Sequence, residues 1–109
     1  MDTLSSLQQL LCDTVQSGGC VDAVYNKGKV RLAPRIIYSK REGLFVDAFV
    51  MERGATPPKE QELRSFKLVG LTHVQAVAVS IIDLADWDHN DPKYLGATIC
   101  VAEKRPTHG

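Results

Sequence analysis

Lys29-Val30-Arg31-Leu32-Ala33-Pro34-Arg35-Ile36-Ile37-Tyr38 is the stretch that decides the fold. Val30, Leu32, Pro34, Ile36 and Tyr38 alternate with Lys29, Arg31, Ala33, Arg35 and Ile37. That is the period of two expected of a half-buried strand. Pro34 has no N–H to give a ladder, so the strand must bend, bulge or lie at an edge there. Just before it, Asn26-Lys27-Gly28 signals a tight turn, with Gly28 expected to take the positive φ. Val21 to Tyr25 then reads as the partner strand, with Val21, Ala23 and Tyr25 on one face.

Further along the chain, Ser39 to Gly43 reads as a charged turn. Leu44 to Met51 reads as a third strand, apolar on both faces except for Asp47. Residues 54–62, with Pro57-Pro58, read as a polar loop. Leu63 to Leu71 reads as a fourth strand with Arg64, Phe66 and Leu68 on one face. Val74 to Ile82 is almost wholly apolar. Ala76 and Ala78 would suit a buried helix there, but the Val and Ile content leans towards a fifth strand. Leu84 to Asn90 reads as an acidic turn or short helix, Leu95 to Ala102 as the last strand and 103–109 as a tail. Towards the N-terminus, Leu4, Leu7, Leu10, Leu11 and Val15 recur at helical spacing and predict a helix over 3–17. Asp2 or Thr3 would cap it, and Gly18-Gly19 would end it.

The expectation is one domain over 1–109, mainly β (α+β). The N-terminal helix precedes a small antiparallel SH3-like or Sm-like barrel over 20–102, of about five to six strands. No second amphipathic helix separates the strands, which disfavours a parallel βαβ architecture. The 109 residues, 44% hydrophobic and 24% charged, suffice for one core and exclude a disordered chain.

Thirteen basic residues balance thirteen acidic ones, against the basic excess usual in non-specific nucleic-acid binders. The distribution is uneven. Lys27, Lys29, Arg31, Arg35, Lys40 and Arg41 lie within 27–41 without an acidic residue, and Asp83, Asp86, Asp88 and Asp91 lie within 83–91 without a basic one. Cys12, Cys20 and Cys100 are odd in number, form no C-x-x-C pair and follow no signal-like segment. Three reduced thiols and a cytoplasmic location are expected. The alternative, a bridged pair, runs against the rarity of cytosolic disulfides. The longest apolar run is far too short to cross a membrane.

The order of features resembles a WYL domain, a bacterial regulatory module with an Sm-like barrel. The similarity runs from about Leu7 to Leu71. It rests on the leading helix, a strand ending in Tyr25, the basic strand carrying Pro34, the hydrophobic Leu44-Phe45-Val46, and Arg64-Ser65-Phe66-Lys67-Leu68. The family's Trp-Tyr-Leu tripeptide falls on Leu44-Phe45-Val46, so its aromatic signature shrinks to one Phe. WYL domains usually sit behind a DNA-binding winged helix in transcription regulators and sense ligands, often nucleotides or nucleic-acid fragments. This length leaves no room for such a helix, so the resemblance implies either action through a partner or a stand-alone module with a different job.

Five residues are candidates for a ligand site. Arg64 shares a face with Phe66 and Leu68, and falls where the family carries an arginine. It would hold a phosphate or carboxylate bidentately, unless an ion pair to Asp47 or Glu62 occupies it. Lys29, Arg31 and Arg35, with Lys27, form a stripe spaced by about 7 Å per two residues, suited to phosphates or to a plain solvated sheet face. Tyr25 closes the set.

Asp86, Asp88 and Asn90 imitate the start of a calcium loop, but Asp91 and Ala97 stand where its glycine and last acidic ligand belong. His73, His89 and His108 are scattered, and zinc spacing and phosphate-binding glycine patterns are absent. The reading is a binding module without catalysis, metal or cofactor. Its ligand would be a nucleotide, an oligonucleotide or a phosphate. The alternative is a protein-interaction or oligomerisation domain whose strands 74–82 and 95–102 meet a partner or a second copy of the chain.

Overall fold

The computed structural model describes residues 3–41, 43–54, 56–57, 62–77, 94 and 97–101, with backbone only at 3 and 4. Helix α1 (Thr3–Ser17) occupies the span the leucine spacing predicts. Leu11 and Val15 are each 1% exposed, while Leu7 and Leu10 pack partly buried against the same core. The side chain of Leu4 lies outside the described residues. Thr14 is buried as well, and its hydroxyl donates to the Leu10 carbonyl at 2.8 Å, which hides a polar atom that the core could not otherwise take. The N–H groups of Gly18 and Gly19 both donate to the Thr14 carbonyl, and Gly18 takes the left-handed conformation (φ +75°) that ends the helix.

Six antiparallel strands follow: β1 (Cys20–Tyr25), β2 (Gly28–Lys40), β3 (Gly43–Arg53), β4 (Leu63–Lys67), β5 (Thr72–Val77) and β6 (Thr98–Val101). Leu68–Gly70 form a 3-10 turn between β4 and β5, which shortens the fourth strand relative to the expected Leu63–Leu71. The sheet order is β4-β3-β2-β1-β5, with β6 paired to β2 off that path. The chain is therefore mainly β with one N-terminal helix. The expected closed barrel is corrected, because the described sheet is open. The reason lies in β2, whose 13 residues serve two neighbours along the edge opposite β3. Gly28 to Leu32 pair with β1, and Ile36 to Tyr38 pair with β6. β6 thus takes up a position beside β2 and leaves β4 and β5 at opposite ends.

Two bulges shape the β2–β3 ladder. Arg31 faces Glu52 but Leu32 faces Val50, and Pro34 faces Ala48 but Ile36 faces Asp47. Arg35 is thus an extra residue, placed where Pro34 cannot donate. It resets the alternation. Val30 and Leu32 face α1 before the bulge and Ile37 faces α1 after it, whereas Ile36 and Tyr38 cross to the other side with Phe45 and Tyr94. The uninterrupted alternation expected over 29–38 is corrected accordingly.

The first hairpin departs from expectation too. Asn26 (φ 49°) and Lys27 (φ 65°) hold the left-handed positions, and Gly28 already belongs to β2. Two central residues with positive φ are what a tight hairpin turn needs to match strand twist.

Cys12 of α1 and Cys100 of β6 form a disulfide, with Cα atoms 5.7 Å apart. The expectation of three reduced thiols is corrected. Eighty-eight residues separate the pair, and only the packing of α1 across β6 brings them together. Support for a cytoplasmic location weakens with it, because cytosolic bridges are rare. Cys20 stays a buried thiol. No helix among the described residues is long and apolar enough to cross a membrane. The expected acidic element at 84–90, the second half of the 74–82 strand, and the tail at 103–109 lie outside the described residues.

Candidate functional site

The sheet has a face covered by α1 and a face without it. On the helix-free face the strand registers align a polar row. Gln75 lies opposite Asp22, Asp22 opposite Arg31, and Arg31 opposite Glu52. Four strands thus contribute one residue each. Arg31 donates from Nε to Asp22 Oδ1 at 2.7 Å, from Nη2 to Asp22 Oδ2 at 3.1 Å and from Nη1 to Glu52 Oε2 at 3.0 Å. Its guanidinium holds the Asp22 carboxyl below the ordinary aspartate range, chiefly through the hydrogen bond. Arg31 in turn is pushed up by Asp22.

Two residues along the strands, Val24 pairs with Lys29 and with Thr72. Between these rows lies a cleft of about 360 Å³ bordered by Asp22, Lys29, Arg31, Glu52, His73 and Gln75. His73 is held at φ 53°. β1 advances by two residues, Asp22 to Val24, while β5 advances by three, Gln75 to Thr72. The surplus residue takes up a left-handed bulge, a conformation that histidine, like Asn and Asp, adopts more often than other side chains.

Arg35 behaves differently from Arg31. As the bulged residue it turns onto the helix-free side, within electrostatic reach of the buried Cys20 thiol. Nε donates to the Pro34 carbonyl at 2.9 Å, and Nη2 is buried with no hydrogen-bond partner. Burial is the main influence on both groups. It pushes the Arg35 guanidinium down and the Cys20 thiol up. No carboxylate pairs with this guanidinium among the described residues.

The remaining candidates do not join them. Arg64 does share a face with Phe66 and Leu68, since Arg64 lies opposite Ala48 and Phe66 opposite Val46. That face is the helix side. Arg64 is exposed and pairs with exposed Glu62 at 2.5 Å, one of the two ion pairs the sequence leaves open. Lys27 is exposed in the hairpin turn, and Lys29 is exposed on the cleft rim. Tyr25 packs edge-on against Phe66 with ring centroids 5.0 Å apart, which makes it part of the core. The fold places Arg64 on the face opposite Arg31 and Arg35, so the five candidates do not form one site. The stripe itself divides into a paired arginine, an unpaired arginine and two exposed lysines.

Sequence reasoning missed the Asp47 cluster. Asp47 is 1% exposed and accepts from the Tyr38 hydroxyl at 2.8 Å and from the Tyr94 hydroxyl. Ser65 Oγ lies 3.3 Å from the Tyr38 hydroxyl. An isolated Asp in an otherwise apolar strand was the one signal available, and it indicates a satisfied buried carboxylate. Nothing in the sequence marked His73, Gln75 or Glu52. Among the described residues no group of three or more His, Cys, Asp and Glu side chains could hold a metal ion.

No family model, curated protein or solved structure matches this chain.

Proposed function

We propose that this chain is a non-catalytic, WYL-like regulatory module that binds an anionic ligand, and that Arg35 receives the anionic group. The observation that supports this reading is the buried, unpartnered Nη2 of Arg35. A guanidinium stays charged at any physiological pH, and burying one of its N–H groups without an acceptor is costly. Such an arrangement persists where something outside the chain completes it. A carboxylate or phosphate satisfies it with parallel N–H···O bonds.

The ligand carries one or two charges and is not a nucleic-acid backbone. Tracking successive phosphates takes a row of available cations. Here Arg31 already serves Asp22 and Glu52, and Arg64 lies on the opposite face. Inorganic phosphate and a nucleoside monophosphate are the probes. Each should raise the melting temperature of the wild type, and Arg35→Met should abolish that rise. Arg35→Met should also stabilise the ligand-free protein, by about 1 kcal/mol, because an uncompensated charge gives way to an apolar chain of similar length. An anion-dependent rise that survives Arg35→Met sinks the reading, and so does its absence in the wild type.

A specific observation favours a second reading, a protein-interaction or oligomerisation domain. Ile99 and Val101 are 39% and 36% exposed, and alternation places them on the same side of β6. Sedimentation would then show a dimer that Ile99→Lys dissociates. A monomer at all concentrations excludes the homodimer.

A further inference from the structure

We infer that the cleft between the Asp22–Arg31–Glu52 row and Lys29 is a binding site for a small zwitterion of the free α-amino acid type. This inference is independent of Arg35, which does not border the cleft.

Charge comes first. Asp22, Arg31 and Glu52 lie side by side on three neighbouring strands. Arg31 occupies both Asp22 oxygens and Glu52 Oε2, so it has little left for an incoming anion. The row carries a net charge of −1, and Glu52 Oε1 is its open acceptor among the described residues. Lys29 carries +1 and is exposed, and its ammonium has no hydrogen-bond or ion-pair partner among the described residues. Two residues of strand separate Lys29 from Arg31, which is about 7 Å. The border of the cleft therefore carries negative charge and one cation spaced along the strand by about 7 Å, near the span of one small molecule with a hydrogen bond at either end. A simple anion meets the negative row, and a simple cation meets Lys29. A molecule with ammonium and carboxylate on one carbon meets both with the right sign.

Size and backbone agree with this. A volume of about 360 Å³ lies at the small end of ligand sites. The third side of the cleft is built by the β5 bulge, where His73 sits in a left-handed conformation that glycine would adopt without strain. The bulge places His73 and Gln75 on the cleft border together. Strained backbone of this kind collects at binding sites, where the geometry matters more than its cost. Imidazole and carboxamide both donate and accept, which suits the same mixed ligand.

The test uses the whole protein, isotope-labelled, titrated by NMR with L-leucine and L-glutamine at constant ionic strength. Their N-acetylated and carboxamide derivatives, each lacking one charge, are titrated alongside. The free amino acids should shift the amide resonances of Asp22, Lys29, Arg31 and Gln75. Each blocked derivative should bind about tenfold more weakly, the loss of one charge-assisted hydrogen bond. Lys29→Ala should erase the preference for a free carboxylate, and Glu52→Gln the preference for a free ammonium. Lys40→Ala, at the far end of β2, should change neither. His73→Gly should leave the melting temperature equal or higher while weakening binding several-fold, which a purely structural role would not produce. Blocked and free ligands binding alike would overturn the zwitterion site, as would a complete absence of shifts. Neither outcome touches the phosphate response expected of Arg35.

Discussion

On the side of the sheet facing α1, Leu11, Leu32, Ile37 and Val46 are all within 1% of complete burial and belong to one apolar cluster. On the other side Asp22, Arg31 and Glu52 form a row, Asp47 is buried against two phenols, and Arg35 Nη2 lacks an acceptor among the described residues. The difference is one of directionality. Apolar burial depends on area removed from water and tolerates small displacements. The polar face depends on register, because a slip of one residue would turn its partners to the wrong side. The α1 side is held by apolar burial, whereas the other side combines two smaller apolar clusters, around Phe49 and around Ile36, with its polar groups.

The largest effect should come from the helix side. Leu11→Ala removes a side chain that is 1% exposed and leaves a cavity between α1 and the sheet, so the free energy of unfolding should fall by about 2–5 kcal/mol. Urea denaturation measures it. A loss below about 1 kcal/mol would mean that α1 contributes little and that the contrast between the faces is false.

Tyr38→Phe should come next. It deletes one donor to the buried Asp47 carboxylate while keeping the ring stacked on Phe45 at 5.8 Å. Hydrogen bonds to charged groups contribute about 1.5–3 kcal/mol, so the loss should fall in that range, below that of Leu11→Ala. If Tyr38→Phe proves the more destabilising of the two, the helix-free face is the main source of stability and the comparison inverts.

The same contrast explains how much of the molecule was legible in the sequence. The helix was, because five apolar residues at helical spacing admit one explanation. Strands β1 to β4 were, because alternation and turn residues delimit them. Arg31 and Arg35 look equivalent in sequence, two basic residues on a basic strand. Their fates diverged through features that alternation cannot show. A bulge follows Pro34, and the long-range registers bring Asp22 and Glu52 to Arg31 alone. His73 has no ligand spacing in the sequence, and its left-handed place in the β5 bulge has no local signal. The Cys12–Cys100 bridge rests on a contact between the two ends of the chain, for which local pattern holds no signal. Non-local pairing is where single-sequence reasoning ends, and the candidate site consists almost wholly of it.

The smallest effect should come from the row itself, and its dependence on pH sharpens the comparison. Asp22 is lowered by its hydrogen bond with Arg31, and its side chain is 44% exposed, so solvent screens much of the interaction. A carboxylate with a depressed folded-state pKa stabilises the protein fully above its unfolded pKa. That contribution is lost as pH falls through the folded value. Wild type and Asp22→Asn should therefore differ by a small, constant margin from neutral pH down to the ordinary aspartate range. The margin should close as pH falls through the lowered Asp22 value and shrink in high salt, where exposed pairs are screened. Leu11→Ala should show the opposite behaviour, a large deficit with little response to pH or salt, because no charge is involved. Urea midpoints for both variants across that range separate the two faces by their physics. An Asp22→Asn deficit that persists undiminished at low pH would mean that the Asp22 side chain acts through shape and neutral hydrogen bonding, and the helix-free face would then owe its order to packing after all.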